Sequence, residues 1–223
     1  MSLPPLAYIA FFSIVLPFML SIIFWRRFQD DKRPLIILYG AYSGFLGIQY
    51  SLAIRGINNL WTSHIYELVE LPLILLMYRM WISSKDAKNI YMGVVIVYAG
   101  FWIASKIFLE SFDGPTFFAS VISRIFLVAG SLYVLFEITS ADSDRSLMVE
   151  PKFWFAAGFL AGAAGDLMFY AFQTFIVGFS FENAMRVFSI HWSVTIISNF
   201  MVTIGILCKP RLRTSGGHLE LAR

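Results

Sequence analysis

Seven apolar runs follow one another along this chain, separated by six connectors too short to fold by themselves. Each run has the length, about 20 residues, that an α-helix needs to cross a hydrocarbon core. The runs cover roughly 5–25, 35–54, 64–82, 90–110, 117–139, 153–177 and 187–208. In lipid every backbone N–H and C=O must be satisfied within the protein, so only helices and closed barrels can span. A barrel would show alternating segments of about ten residues, and these runs do not alternate. The fold expected is an all-α integral membrane protein, a seven-transmembrane helix bundle over residues 1–210 with a short polar tail at 211–223.

Composition agrees with lipid as the main solvent. Charged residues make up 14% of the chain and hydrophobic ones 58%, against about 25% charged in a soluble domain. The net charge of +3 is scattered through short loops, not gathered into the basic stripe that nucleic acid requires, so no nucleic-acid partner is expected. The single cysteine, Cys208, leaves no pair for an intramolecular disulfide and excludes a multi-cysteine metal site. The first run lacks a basic leader and is longer than a signal-peptide core, so it reads as a span.

Lysine and arginine bias gives the orientation. Thirteen basic residues fall on the side of the first, third and fifth connectors and the tail: Arg26, Arg27, Lys32, Arg33, Arg79, Lys85, Lys88, Arg145, Lys152, Lys209, Arg211, Arg213 and Arg223. Four fall on the other: Arg55 and Arg186 in loops, with Lys106 and Arg124 inside nearby spans. The N-terminus is therefore expected outside and the C-terminus in the cytoplasm, in a bacterial-type inner membrane. Trp25, Trp81 and Trp154 fall at inner boundaries, and Trp61 and Tyr66 at an outer one, as an aromatic belt places them. Gly40, Gly44 and Gly47 in the second run, and Gly158, Gly162 and Gly165 in the sixth, have the spacing that lets helix backbones approach.

Polar residues inside the spans carry the functional signal, because each ionisable group at a helix centre costs at least about 2.5–3.5 kcal/mol to insert. Glu67 and Glu70 are three apart and share a helix face. Arg124 lies in the fifth span, Lys106 in the fourth, and Asp166 near the middle of the sixth, with Gln173 beyond it. His191, Thr195, Ser198 and Asn199 make a polar stripe on the seventh, and the second adds Gln49 and Tyr50. At 1.5 Å of rise per residue, Glu67, Glu70, Arg124, Lys106, Gln49 and His191 fall within roughly the outer third of the bundle. Asp166 lies nearer the midplane and Asn199 deeper. Six helices thus place polar groups in one slab, which implies a polar chamber opening toward the outside. Pro72, two residues after Glu70, is expected to bend its helix there. Glu110, Arg79 and Glu137 read as boundary residues held by solvent.

The expected ligand-binding set is Gln49, Glu67, Glu70, Arg124, Asp166, His191 and Asn199. Its mixed signs suit a zwitterionic or hydrogen-bonding ligand in a sensor, receptor-like protein or carrier. An intramembrane lipid hydrolase is the alternative, with Glu67 or Glu70 as base, or as metal ligand beside His191 and Asp166. A structural subunit whose polar groups only pair helices is the third reading. No metal and no cofactor are expected. The partners expected are the lipid bilayer and a small-molecule or lipid ligand, with a second copy or another membrane protein also open. A retinal chromophore is excluded, since span 187–208 offers no Schiff-base lysine. The three histidines, His64, His191 and His218, do not supply a three-histidine zinc site.

Overall fold

The computed structural model describes residues 4–27, 33–141, 146–178 and 181–208. Seven α-helices follow in order: α1 (Pro5–Ile23), α2 (Arg33–Ile54), α3 (Trp61–Trp81), α4 (Lys85–Phe108), α5 (Phe118–Ala141), α6 (Pro151–Val177) and α7 (Phe181–Leu207). Each expected run is a helix, with ends moved by a few residues. Lys32, Arg145, Lys209, Arg211, Arg213, Arg223, His218 and the tail lie outside the described residues, as do the side chains of Arg27 and Gln173.

Local chemistry sets several of these ends. Pro5 occupies the first turn of α1, where its missing N–H costs nothing. Gly56, at φ 67°, ends α2 in the left-handed region. The amide of Ile57 then bonds Leu52 O and that of Gly56 bonds Ala53 O, both at 3.0 Å, satisfying carbonyls that the helix end leaves orphaned. Ser84 caps α4 by accepting from the amide of Ala87. Pro72 sits inside α3, yet the helix runs unbroken from Trp61 to Trp81.

Six helices (all but α3) are long and apolar enough to cross a membrane. Their outward side chains include Phe12, Ile37, Ile96, Ile107, Phe136, Ile190 and Phe200, all more than half exposed. That is the surface a bilayer, not water, accommodates. The exception is the most thoroughly buried element. α3 encloses Thr62, His64, Glu67, Leu71, Ile74, Leu75, Met77 and Tyr78, so its polar groups are turned toward neighbouring helices.

The packing order makes α3 central. Helices α1, α2, α3, α5, α6 and α7 touch in sequence and α7 returns to α1, forming a closed ring, while α4 packs outside against α3 and α5. The tightest seam joins α6 and α7. A Cβ added at Gly165 would lie 2.4 Å from Val194, one at Gly162 2.8 Å from the Ser198 hydroxyl, and one at Gly158 2.9 Å from Val202. The glycines of α6 therefore do what their spacing implies. Those of α2 do so only in part: Gly40 faces Phe18 at 3.1 Å, but Gly44 and Gly47 have nothing within 4 Å. One half of the ring, around Leu35, Leu71, Leu75, Tyr78 and Phe155, is a buried apolar cluster. The other half holds the polar residues.

Candidate functional site

Four helices of the ring deliver one connected chain of charge. Glu70 on α3 accepts from Arg124 Nη1 of α5 at 2.6 Å. Arg124 Nε lies 3.2 Å from Asp166 Oδ2 on α6, and Asp166 Oδ1 lies 3.2 Å from His191 Nδ1 on α7. The last two are close contacts without aligned hydrogen bonds, since neither Nε nor Nδ1 finds a hydrogen-bond acceptor. The Arg124 side chain is only 6% exposed. It therefore needs its carboxylates, as a buried lone charge would be intolerable. His191 stacks on Phe169, with ring centroids 4.6 Å apart.

Glu67, one helical turn from Glu70, is 2% exposed and does not reach for the headgroup region. Its carboxylate accepts from Thr116 Oγ1 at 2.7 Å and from the Ser120 hydroxyl. Gln49 on α2 donates to Ser63 Oγ at 2.8 Å, fastening α2 to α3. Deeper in the ring, Asn199 accepts from the Tyr39 hydroxyl at 3.1 Å and donates to Ser13 Oγ at 3.0 Å. It ties α7 to α2 and α1.

These side chains border two adjoining cavities. The one nearer the α2–α3 loop, called the outer cavity below for that position alone, has a volume of about 170 Å³ and is lined on its polar side by Gln49, Ser63, Glu67, Arg124, Asp166 and His191, and elsewhere by Tyr42, Phe45, Tyr66 and Tyr170. The inner one, about 60 Å³, meets Glu70, Arg124, Asp166, Ser198 and Asn199 among apolar walls from Leu38, Ile74, Leu127 and Phe159. Tyr42, Tyr66, Arg124 and Asp166 belong to both. The two tyrosine rings stack at 4.7 Å, so an aromatic pair and an ion pair together form the partition. The outer cavity exceeds many times over what a single water needs.

Of the seven residues expected from sequence, the outer cavity unites Gln49, Glu67, Arg124, Asp166 and His191. Glu70 and Asn199 belong to the inner one. Several neighbouring expectations are corrected. Lys106 is on the excluded helix α4 and pairs with Glu110 one turn later, so it contributes nothing to the chamber. Tyr50 is exposed and turned away. Tyr66 is an interior residue, stacked on Tyr42, and no part of an aromatic belt. Trp81 likewise stacks on Phe155 in the core.

Glu110 was expected to be a solvated boundary residue, and it is buried. Its Oε1 accepts from the amides of Phe117, at 2.7 Å, and Phe118, while Oε2 meets Lys106. A carboxylate at the start of α5 satisfies orphan N–H groups and complements the helix dipole. Burial alone would push its carboxyl upward, but Lys106 and the two amides outweigh burial and hold it below the ordinary range. His64 is also structural. It is fully buried, and its Nε2 donates to the carbonyl of Gly114 at 2.9 Å.

Sequence reasoning overlooked the tyrosines Tyr39, Tyr42 and Tyr170, and the hydroxyls of Ser13, Ser63, Thr116 and Ser120. Serine, threonine and tyrosine are frequent enough in apolar helices that only their neighbours in space distinguish them. Among the described residues no group of three His, Cys, Asp or Glu side chains is arranged to hold a metal ion. The chain matches no known protein family, no curated protein and no solved structure.

Proposed function

We propose that this chain is a multi-pass membrane protein in which all seven helices span the bilayer, N-terminus outside and C-terminus cytoplasmic, and that its outer cavity binds a small ligand. The observation that carries the reading is the convergence of Gln49, Glu67, Arg124, Asp166 and His191, from α2, α3, α5, α6 and α7, on one cavity. A bundle that needed polar groups only for assembly would pair them, as these are paired, and would also fill the space beside the pairs. Here a cost in desolvation is accepted around an open volume, which is the expected signature of a site that does work.

α3 is the span with the least apolar sequence because its neighbours, not lipid, surround its polar face. The buried apolar cluster around Tyr78 and Phe155 supports a site reached from the outer side. That arrangement suits a sensor or receptor-like protein, or one state of a carrier, in a bacterial-type inner membrane. Residues 211–223 form a cytoplasmic tail in this reading, and a ligand is the only partner besides lipid that the site calls for.

The contact between Asp166 and His191 also supports a second reading, an intramembrane hydrolase in which the carboxylate orients an imidazole base. Among the described residues no hydroxyl or thiol hydrogen-bonds that ring, so the nucleophile such an enzyme needs would have to be water.

The test is a complementation assay with His191→Gln and Asp166→Asn, using the phenotype that deletion of the gene produces. Both variants should insert and remain monodisperse, and both should fail to complement. His191→Gln should melt close to wild type, since the ring lacks an aligned bond to lose. Asp166→Asn should melt lower, because Arg124 loses one of its two carboxylates. Full complementation by both variants would leave the polar cluster as a device for helix pairing.

A further inference from the structure

We infer that the outer cavity takes a small organic cation, an ammonium compound, with Glu67 as its counter-ion. The inference rests on the reading of that cavity as a ligand site and adds the chemical class.

Charge balance is the first ground. Among the described residues three carboxylates border the two adjoining cavities, Glu67, Glu70 and Asp166, and Arg124 is the only lysine or arginine that does so. With all three carboxylates ionised and His191 neutral the sum is one minus three, or −2; with His191 protonated it is −1. Lys106, the other basic residue of this half that lies within a helix span, is paired with Glu110, and Arg186 is paired with Glu182 at the surface. Buried charge of one sign is balanced by a partner or lost to neutralisation, and the described residues lining the cavities do not provide a second basic partner.

The second ground is how Arg124 is spent. Its Nη1 holds Glu70 at 2.6 Å and its Nε stands 3.2 Å from Asp166. Glu67 has hydroxyl donors only, Thr116 and Ser120. Each carboxylate oxygen carries a second lone pair, so Glu67 keeps acceptor capacity at the wall of the cavity and, whenever it is ionised, a charge that no basic side chain is bonded to. An anionic or carboxylate-bearing ligand would meet that carboxylate, and would share Arg124 with Glu70 and Asp166, which already face it.

The third ground is the rest of the wall. Tyr42, Phe45, Tyr66 and Tyr170 line the same space. Tyr66 stacks on Tyr42 at 4.7 Å and takes the edge of Phe45 at 5.8 Å. Aromatic rings beside a carboxylate are the surroundings in which ammonium groups are recognised, through the negative faces of the rings. A bare inorganic cation would need a close cage of oxygens, which the aromatic side of the cavity does not offer.

The experiment uses the purified full chain in phosphatidylcholine nanodiscs and reads the melting temperature against probe concentration, at several pH values. The probes are ethylammonium and tetramethylammonium as cations, glycine betaine as a zwitterion, acetate as an anion and glycerol as a neutral solute. At least one cation should raise the melt saturably, more strongly than betaine, while acetate and glycerol leave it unchanged. Acidification should compete with the cation. Glu67→Gln should weaken the cation response at least tenfold, and Glu182→Gln, a surface variant far from the cavity, should keep it.

Stabilisation by acetate, glycerol or betaine in preference to the cations would overturn the charge assignment and leave the cavity a binding site. A melt that responds to pH alone would show that protons fill the role assigned to the cation, overturning the inference in another way. A melt indifferent to every probe and to pH, in wild type and Glu67→Gln alike, would overturn the ligand-site reading with it.

Discussion

Replacing Arg124 should cost far more than replacing Glu70, and the geometry gives the reason. Arg124 stands between two carboxylates, 2.6 Å from Glu70 and 3.2 Å from Asp166, with its own side chain 6% exposed. Arg124→Gln removes the one cation and leaves two buried acids facing each other. Breaking a buried pair in this way costs about 3–5 kcal/mol. At roughly 2–4 °C per kcal/mol for a chain of this size, the melt should fall by roughly 6–20 °C. Glu70→Gln leaves Arg124 with Asp166 and retains an amide oxygen as acceptor, so its loss should be about 1–3 kcal/mol, the range of a hydrogen bond to a charged group. The double variant Glu70→Gln/Arg124→Gln should melt above Arg124→Gln alone, because Asp166 then stands alone beside His191. The assay is scanning fluorimetry of the four proteins in detergent, analysed as a double-mutant cycle. Additive single effects would show that the two side chains are not coupled. A Glu70→Gln loss as large as that of Arg124→Gln would refute the two-sided role of the arginine.

Two further predictions follow from packing and capping. Gly165→Ala places a Cβ 2.4 Å from Val194 and should lower stability by about 1–3 kcal/mol through overpacking, whereas Gly44→Ala, with open space around it, should be neutral in the same melt. Glu110→Gln should cost about 1 kcal/mol at neutral pH, the usual worth of an N-terminal cap. Because Glu110 titrates below its ordinary value in the folded chain, the gap between wild type and Glu110→Gln should be constant above about pH 4.3. It should close as pH falls from there toward the folded value, and a gap that persists in acid would show that the charge contributes nothing.

The helices were legible because transmembrane length and apolarity are written locally. Each run from 5–25 to 187–208 needed only its own residues to be recognised. The ring was not legible, since nothing in the sequence of α4 says that it lies outside. Lys106 was therefore placed in the chamber on depth alone, and depth fixes one coordinate of three. The same gap explains Tyr66. Its position near a helix end suits an interfacial belt, but the face it occupies points inward to Tyr42. The charged members of the chamber were found because their insertion cost makes them conspicuous one at a time. The hydroxyls on Thr116 and Ser120 carry no such cost and became visible only beside Glu67. Glu110 shows the reverse error: its neighbours in sequence look like a solvated loop, and its burial comes from the start of α5 folding back over it. Gly44 and Gly47 share the spacing of the α6 glycines, yet spacing cannot say whether a helix is present to fill the groove.

The account as a whole stands on a polar cavity that faces outward in a membrane-spanning bundle, and cysteine accessibility tests that most directly. In a Cys208→Ser background, single cysteines are placed at Ser63 in the cavity wall, at Asn58 in the α2–α3 loop and at Ser84 at the start of α4. Intact cells are then treated with a membrane-impermeant thiol reagent. Asn58→Cys and Ser63→Cys should react from outside, the second more slowly, while Ser84→Cys should react only after permeabilisation. Labelling of Ser84→Cys in intact cells would contradict the orientation, and a silent Ser63→Cys beside a reactive Asn58→Cys would contradict the outward-facing chamber.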